Sequence, residues 1–257
     1  MLGANAGDVI GSVHERAGTK RTDFPLWEPA SRFTDDTVLT VAVAQHLLDG
    51  SDLVQLFHDH VRAYPHAGYG GSFLRWARDR RREPYGSWGN GSAMRVSPVG
   101  FAAASEEEAW TEAARTAAVT HDHPEGVRGA QAVALAIFLA RHGASKDEIR
   151  AAVERDVGYD LSATIDEIRP GYGFDVSCQG SVPPSITAFL EADDVEDAVR
   201  KAISLGGDAD TMACIAGGIA QAYFGGVPPH IRAGTLARLD DRLRGVVAAF
   251  EARFGVA

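Results

Sequence analysis

Ser204-Leu205-Gly206-Gly207-Asp208-Ala209-Asp210-Thr211 runs directly into the apolar segment Met212 to Phe224. Two glycines, two carboxylates one residue apart and a hydroxyl, followed by small apolar residues, describe a tight turn that delivers oxygen atoms to a helix start. Taken singly, such a turn is most often a cap, because Asp and Thr at a helix N-terminus satisfy free N–H groups and complement the dipole. Upstream, however, Phe33-Thr34-Asp35-Asp36-Thr37 opens a second apolar helix, Val38 to Leu48, with the same hydroxyls and paired acids. Adjacent helical residues point about 100° apart, so Asp35 and Asp36 reach different ions or different sides of one. If the two turns meet, four carboxylates converge, and such charges stay ionised together only when cations offset them. The donors are all oxygen, from Asp and Thr with Glu15 as a further acid, a set that suits Mg²⁺, Mn²⁺ or Ca²⁺. His121 and His123 have no Cys partner and no helical i, i+4 spacing, which disfavours zinc.

With 257 residues the chain can bury one ample core, and a single domain over 1–257 is expected. A hydrophobic fraction of 45% and a charged fraction of 23% are those of an ordinary soluble globular protein. The formal net charge of -10 and pI near 5.3 argue against a dedicated nucleic-acid or anionic-membrane surface. The longest apolar run, Met212 to Phe224, is interrupted by Gln221 and falls short of the roughly 20 residues that span a bilayer. No basic-then-apolar leader opens the chain, so a cytoplasmic location is expected. Cys178 and Cys214, the two cysteines, read as small buried thiols rather than a disulfide.

The pattern along the chain is helical. Gly3, Gly7 and Gly11 form one stripe on a helix over residues 2 to 13, ending near His14 and Glu15; each costs about 1 kcal/mol against alanine, so a close backbone or ligand is implied. Asp8 and Glu15 either serve the acid site or face solvent. Gly50-Ser51 reads as a stop and a new cap. The run Arg78 to Arg82 is a solvated face or a phosphate contact. Gly86 to Arg95 is the most glycine-dense polar loop, with Gly86, Gly89 and Gly91 freeing N–H groups for an anion and Ser92 placed to cap the helix of Met94 and Val96. Trp88 offers a face for a base or packs in the core. Ser105 with Glu108 and Ser145 with Glu148 are capping boxes before helices at 106 to 118 and 146 to 154. Residues 156 to 184, with Pro183-Pro184, form the longest irregular stretch and have room for a short strand. Helices resume over Ile186 to Glu191 and Val195 to Leu205, and a last one carries Leu236 to Phe250. The expected architecture is a compact all-α domain with ligand loops gathered at helix N-termini.

The segments Gly7 to Glu15, Phe33 to Thr37, Gly68 to Gly71, Gly86 to Arg95, Thr120-His121 and Ser204 to Thr211 together resemble the ADP-ribosylglycohydrolase family. That resemblance implies an orthogonal helical bundle with a binuclear Mg²⁺ or Mn²⁺ centre at helix N-termini. By motif, Thr34, Asp35 and Asp36 hold one ion, Asp208 and Thr211 the other, and Asp210 is shared. Gly86, Ser87 and His121 match positions that hold a pyrophosphate, with Gly89, Asn90 and Gly91 in the same loop; Trp88 matches an aromatic stacked on adenine, and Gly70 borders the distal ribose. Arg82 stands where some relatives place a second aromatic. The implied reaction is hydrolysis at C1 of the distal ribose, freeing ADP-ribose from a modified protein side chain such as arginine or serine, with Glu15 or Asp36 as acid or base. A nucleic-acid substrate fits the acidic charge less well but stays open, and no membrane partner is expected. The rival is an ADP-ribose-binding or structural protein without turnover, as in some lens crystallins of this fold.

Overall fold

The computed structural model describes residues 1–256; Ala257, the last residue of the expected domain, lies outside them. Among the described residues the regular structure is entirely helical. In chain order the helices are α1 (Leu2–Gly11), α2 (Asp35–Asp49), α3 (Leu53–Ala63), α4 (Gly71–Arg78), α5 (Gly91–Met94), α6 (Ser97–Ala102), α7 (Glu106–Ala118), α8 (Pro124–Arg141), α9 (Lys146–Asp156), α10 (Ile165–Ile168), α11 (Cys178–Leu190), α12 (Val195–Ile203), α13 (Ala209–Phe224), α14 (Pro229–Leu236) and α15 (Asp241–Phe254). None is long and apolar enough to cross a membrane.

Side-chain caps set most helix starts. Ser145 and Glu148 form the expected reciprocal box, and Thr164 with Glu167 forms another at α10, inside the stretch read as irregular. At α7 only half the box exists: Ser105 accepts from the Glu108 N–H, but the Glu108 carboxylate takes the N–H of Ala104. Gly50 ends α2 in the left-handed conformation, and Asp52 rather than Ser51 caps α3. Ser92 caps nothing; it lies within α5, where its hydroxyl donates to the Gly126 carbonyl at 2.6 Å. The last helix is two, because Asp240 accepts from the Leu243 N–H and starts α15 afresh.

The expected strand is absent; a single antiparallel bridge joins Gly89 to Ser177. Instead Ser177 caps α11, which runs through Pro183 and Pro184. An interior proline leaves the carbonyl four residues back without its helical donor, at a cost of about 3 kcal/mol. For Pro184 that carbonyl belongs to Gly180, and the Tyr172 hydroxyl donates to it at 2.8 Å. The Ser181 and Ser185 hydroxyls bond the carbonyls of Ser177 and Ser181, drawing further polar groups of this helix inward.

α13 is the axis of the core. Its residues Ala209 to Gln221 are all buried, and so is every residue of α1. The two helices touch backbone to backbone along the glycine stripe. A Cβ on Gly3 would lie 2.3 Å from the Gly217 carbonyl oxygen, one on Gly7 2.0 Å from that of Ala213, and one on Gly11 2.5 Å from Cα of Asp210. The stripe therefore serves a neighbouring helix, and it decides where the acids of α1 and α13 sit.

Candidate active site

Asp8 of α1, Asp36 of α2 and Asp210 of α13 meet at one point, one oxygen of each lying within 4.8 Å of the other two. Asp8 has no solvent exposure. Its carboxylate accepts the N–H groups of Thr34 (3.0 Å) and Thr37 (3.1 Å) and the Thr34 hydroxyl (2.6 Å), so it holds the first turn of α2 against α1. Thr34 is the N-cap of α2 and accepts from the Asp36 N–H. Across the gap, the Thr211 hydroxyl donates to Asp36 Oδ2 at 3.3 Å, bringing the two acid turns together. Asp208 is the N-cap residue of α13 and accepts from Asn90 Nδ2 at 2.8 Å. Gly206, at φ +67°, makes the turn that precedes it.

These carboxyls are costly to ionise together. Burial, then Asp210 and the other neighbouring carboxylates, pushes Asp36 well above the ordinary range; burial, then Asp208, does the same to Asp210. Asp35 is pushed up to about 8 by burial and by Asp8. Burial also raises Asp8 and Asp208, opposed by the hydrogen bonds they accept. Asp36 Oδ1 is buried without a partner. An unpartnered buried carboxylate oxygen among converging acids, in a donor set of oxygen alone, is suited to a hard divalent cation.

Of the residues singled out by sequence, Thr34, Asp36, Asp208, Asp210 and Thr211 are buried at this cluster. Asp35 and Glu15 are half-buried at its edge. Glu15 repels the carboxylates of Asp35, Asp208 and Asp210, and Asp35 Oδ1 lies 3.3 Å from where a Cβ on Gly68 would be. Gly70 is exposed two residues further on, as the N-cap of α4. The signal for Asp8 was one acid within a buried helix of glycine and apolar residues.

The glycine loop reaches the cluster through Asn90 but differs from the expected cradle of free N–H groups. Gly86 N–H goes to Asp122 (2.8 Å), Ser87 to the Thr120 carbonyl (3.4 Å), Gly89 to the Ser87 hydroxyl (3.2 Å) and Asn90 to the Val176 carbonyl (2.8 Å). His121 is buried beneath the loop, its Nε2 3.1 Å from where a Cβ on Gly91 would be. Trp88 is 49% exposed, so it is not a core residue.

A model of the ADP-ribosylglycohydrolase family matches residues 1–255. The chain belongs to this family. It is 27% identical to human ADP-ribosylhydrolase ARH3 over 311 aligned positions, covering 88% of this chain and 84% of that one. It is 25% identical to ADP-ribosylarginine hydrolase Tri1 of Pseudomonas putida, covering 90% and 71%. A solved ADP-ribosylglycohydrolase-related protein complex superposes with a TM-score of 0.67 at 26% identity, over 98% of this chain and 96% of that one.

Two features of this family member are not legible in its sequence. Phe174, 60% exposed, and Val176 join Trp88 as the large hydrophobics left in solvent. The Asn90 to Val176 hydrogen bond and the bridge to Ser177 carry this segment alongside the glycine loop. Lys20, from the loop between α1 and α2, donates to the carbonyls of Leu205 (2.5 Å) and Tyr172 (2.6 Å), tying three loops together just ahead of Asp208. Spacing pairs neither, since Lys20 is separated from its partners by 152 and 185 residues and Asn90 lies far from Val176 in the chain.

Proposed function

We propose that this chain hydrolyses the linkage between ADP-ribose and a modified acceptor, with a protein side chain such as arginine or serine as the substrate class, and releases ADP-ribose. The observation that carries this reading is the buried meeting of Asp8, Asp36 and Asp210 in a member of this family. We assign two Mg²⁺ or Mn²⁺ ions to Thr34, Asp35, Asp36, Asp208, Asp210 and Thr211. Asp8 holds Thr34 and the first turn of α2 in place by the three hydrogen bonds it accepts. Bound there, the ions would orient the ribose hydroxyls and offset developing charge.

The protein's own groups divide the remaining work. Asp36 is buried between the Thr34 and Thr211 hydroxyls, which supports a role as ligand rather than as proton donor. Glu15 is half-buried at the edge of the cluster and is the group placed to move a proton to or from the reacting sugar. The loop from Gly86 to Gly91, with His121 beneath it, takes the diphosphate, and Trp88 with Phe174 and Val176 presents an apolar surface to adenine. Gly70 lies where the distal ribose would pass. The names of the relatives, one of them an ADP-ribosylarginine hydrolase, support an ADP-ribosyl substrate.

The test is release of free ADP-ribose from arginine-linked, serine-linked and DNA-linked substrates with Mg²⁺ or Mn²⁺ and with EDTA. Metal-dependent release from one linkage is expected. Tight ADP-ribose binding with no release from any substrate would overturn the hydrolase reading in favour of a binding protein.

A further inference from the structure

Arg95 is buried and pairs with no carboxylate among the described residues. Its guanidinium covers the Phe57 ring at 4.6 Å, and its Nη2 donates to the carbonyls of Thr116 (3.2 Å) and Ala117 (3.5 Å) and to Thr120 Oγ1 (2.9 Å). Its Nε and Nη1 are buried with no acceptor. A cation left uncompensated inside a protein costs several kcal/mol, and the loop on the far side of His121 is the one whose glycine-rich sequence suggests an anion.

Thr120 lies between Arg95 and His121 and has no solvent exposure. Arginine only donates, so Thr120 Oγ1 accepts from it. The hydroxyl's own proton has one other partner, His121 Nδ1 at 2.7 Å. Were Nδ1 protonated, two donors would face the same oxygen and the hydroxyl proton would be buried without an acceptor. Nδ1 is therefore the bare nitrogen. Burial, and then the charge of Arg95, keeps the imidazole neutral by lowering its pKa well below the ordinary value. The single ring proton is on Nε2, the nitrogen lying under Gly91 and Gly89. The N–H groups of Gly86, Ser87, Gly89 and Asn90 are engaged within the protein, and Nε2–H is the side-chain donor that lies beneath the loop.

We propose that Arg95, acting through the Thr120 hydroxyl, fixes His121 as the Nε2–H tautomer and makes it an outward donor to a diphosphate held over the loop Gly86 to Gly91. Arg95 is a positioning residue, and its unpaired charge adds an attractive field under the same anion. The identity of that anion as the diphosphate of ADP-ribose rests on the function proposed above; the proton arrangement does not.

Two measurements test it. In long-range ¹H–¹⁵N spectra of the wild-type protein, with His121 identified by loss of its signals in His121→Gln, Nε2 is expected protonated and Nδ1 bare. Thr120→Val removes the hydroxyl and should shift the ring toward the Nδ1-protonated form and weaken ADP-ribose binding, measured calorimetrically with Mg²⁺, by about tenfold or more. Thr120→Ser, which keeps the hydroxyl, should restore both tautomer and affinity. A wild-type ring protonated on Nδ1 would overturn the proposal, as would a folded Thr120→Val that keeps both tautomer and affinity. If the wild type binds no ADP-ribose, the functional reading fails, and inorganic pyrophosphate without Mg²⁺ replaces it as the probe. Movement of the His121 Nε2 signal by pyrophosphate would then sustain the proposal, and a static signal would sink it.

Discussion

Replacing Gly7 by alanine puts a methyl group where the α1 and α13 backbones meet. The new Cβ would lie 2.0 Å from the carbonyl oxygen of Ala213, 2.2 Å from its carbon and 2.6 Å from the Cys214 nitrogen. These atoms are main chain, so no side chain can turn away. Ordinary contact begins near 3.4 Å, and the helices must part by ~1.4 Å at this turn. Alanine is the better helix former by about 1 kcal/mol, but overpacking a tight core costs about 1–3 kcal/mol or more, and here the packing on both sides is backbone. The expected net loss is at least ~2 kcal/mol. The displacement is centred one residue from Asp8, so divalent-cation affinity should fall as well. Gly245→Ala is the control: it lies on the exposed face of α15, and its Cβ would meet nothing within 4 Å. There the propensity gain should appear alone, as about 0.5–1 kcal/mol of added stability. Urea unfolding of both variants against the wild type, with Mn²⁺ calorimetry, measures the pair. An unchanged midpoint and Mn²⁺ affinity for Gly7→Ala would refute the claim that the stripe sets the position of the acids.

Asp210→Asn should abolish the rise in melting temperature that Mn²⁺ gives the wild type, while leaving the metal-free protein at least as stable, since it removes one of the repelling charges; retained stabilisation by Mn²⁺ counts against the ligand assignment. Glu15→Gln should cut turnover about 10²–10⁴-fold with little change in ADP-ribose affinity, the range general acid–base catalysis supplies. Trp88→Ala should weaken ADP-ribose binding about tenfold or more by loss of stacking, and equal affinities would separate this tryptophan from adenine. Burial holds His60 below its ordinary pKa of 6.5; a depressed histidine contributes full stability above 6.5 and loses it as pH falls from there toward the folded value. The stability difference between wild type and His60→Leu should accordingly shrink between pH 7.5 and 5.5, where a constant difference would contradict it.

How much of this was legible depended on range in the chain. Thr34, Ser145 and Asp208 lie at helix starts that their local sequence marks, and the stripe of Gly3, Gly7 and Gly11 demanded a close neighbour. The helices Glu106–Ala118 and Lys146–Asp156 follow from caps and periodicity. What failed depended on distant partners. The sequence of α11 reads as irregular because the donor for the Gly180 carbonyl is the Tyr172 hydroxyl, outside that helix. In the glycine loop the acceptors of the Gly86, Ser87 and Asn90 N–H groups, on Asp122, Thr120 and Val176, are adjacent only after folding. Asp8 was visible as an acid without a side, and only the meeting of α1 with α2 shows that it holds Thr34 and Thr37.

The contact of α1 with α13 also bears on which ion the cluster accepts. Asp8 and Asp210 are carried by helices already pressed main chain to main chain, and Asp8 binds α2 through two of its N–H groups. Helices in backbone contact cannot approach further, so the acids they carry keep a minimum separation against which Mg²⁺–oxygen distances, about 2.0–2.1 Å, and those of Ca²⁺, about 2.3–2.6 Å, would be sorted. Aspartate and threonine oxygens by themselves do not discriminate between the two. Radius selection in this protein would accordingly come from three residues with no side chain at all.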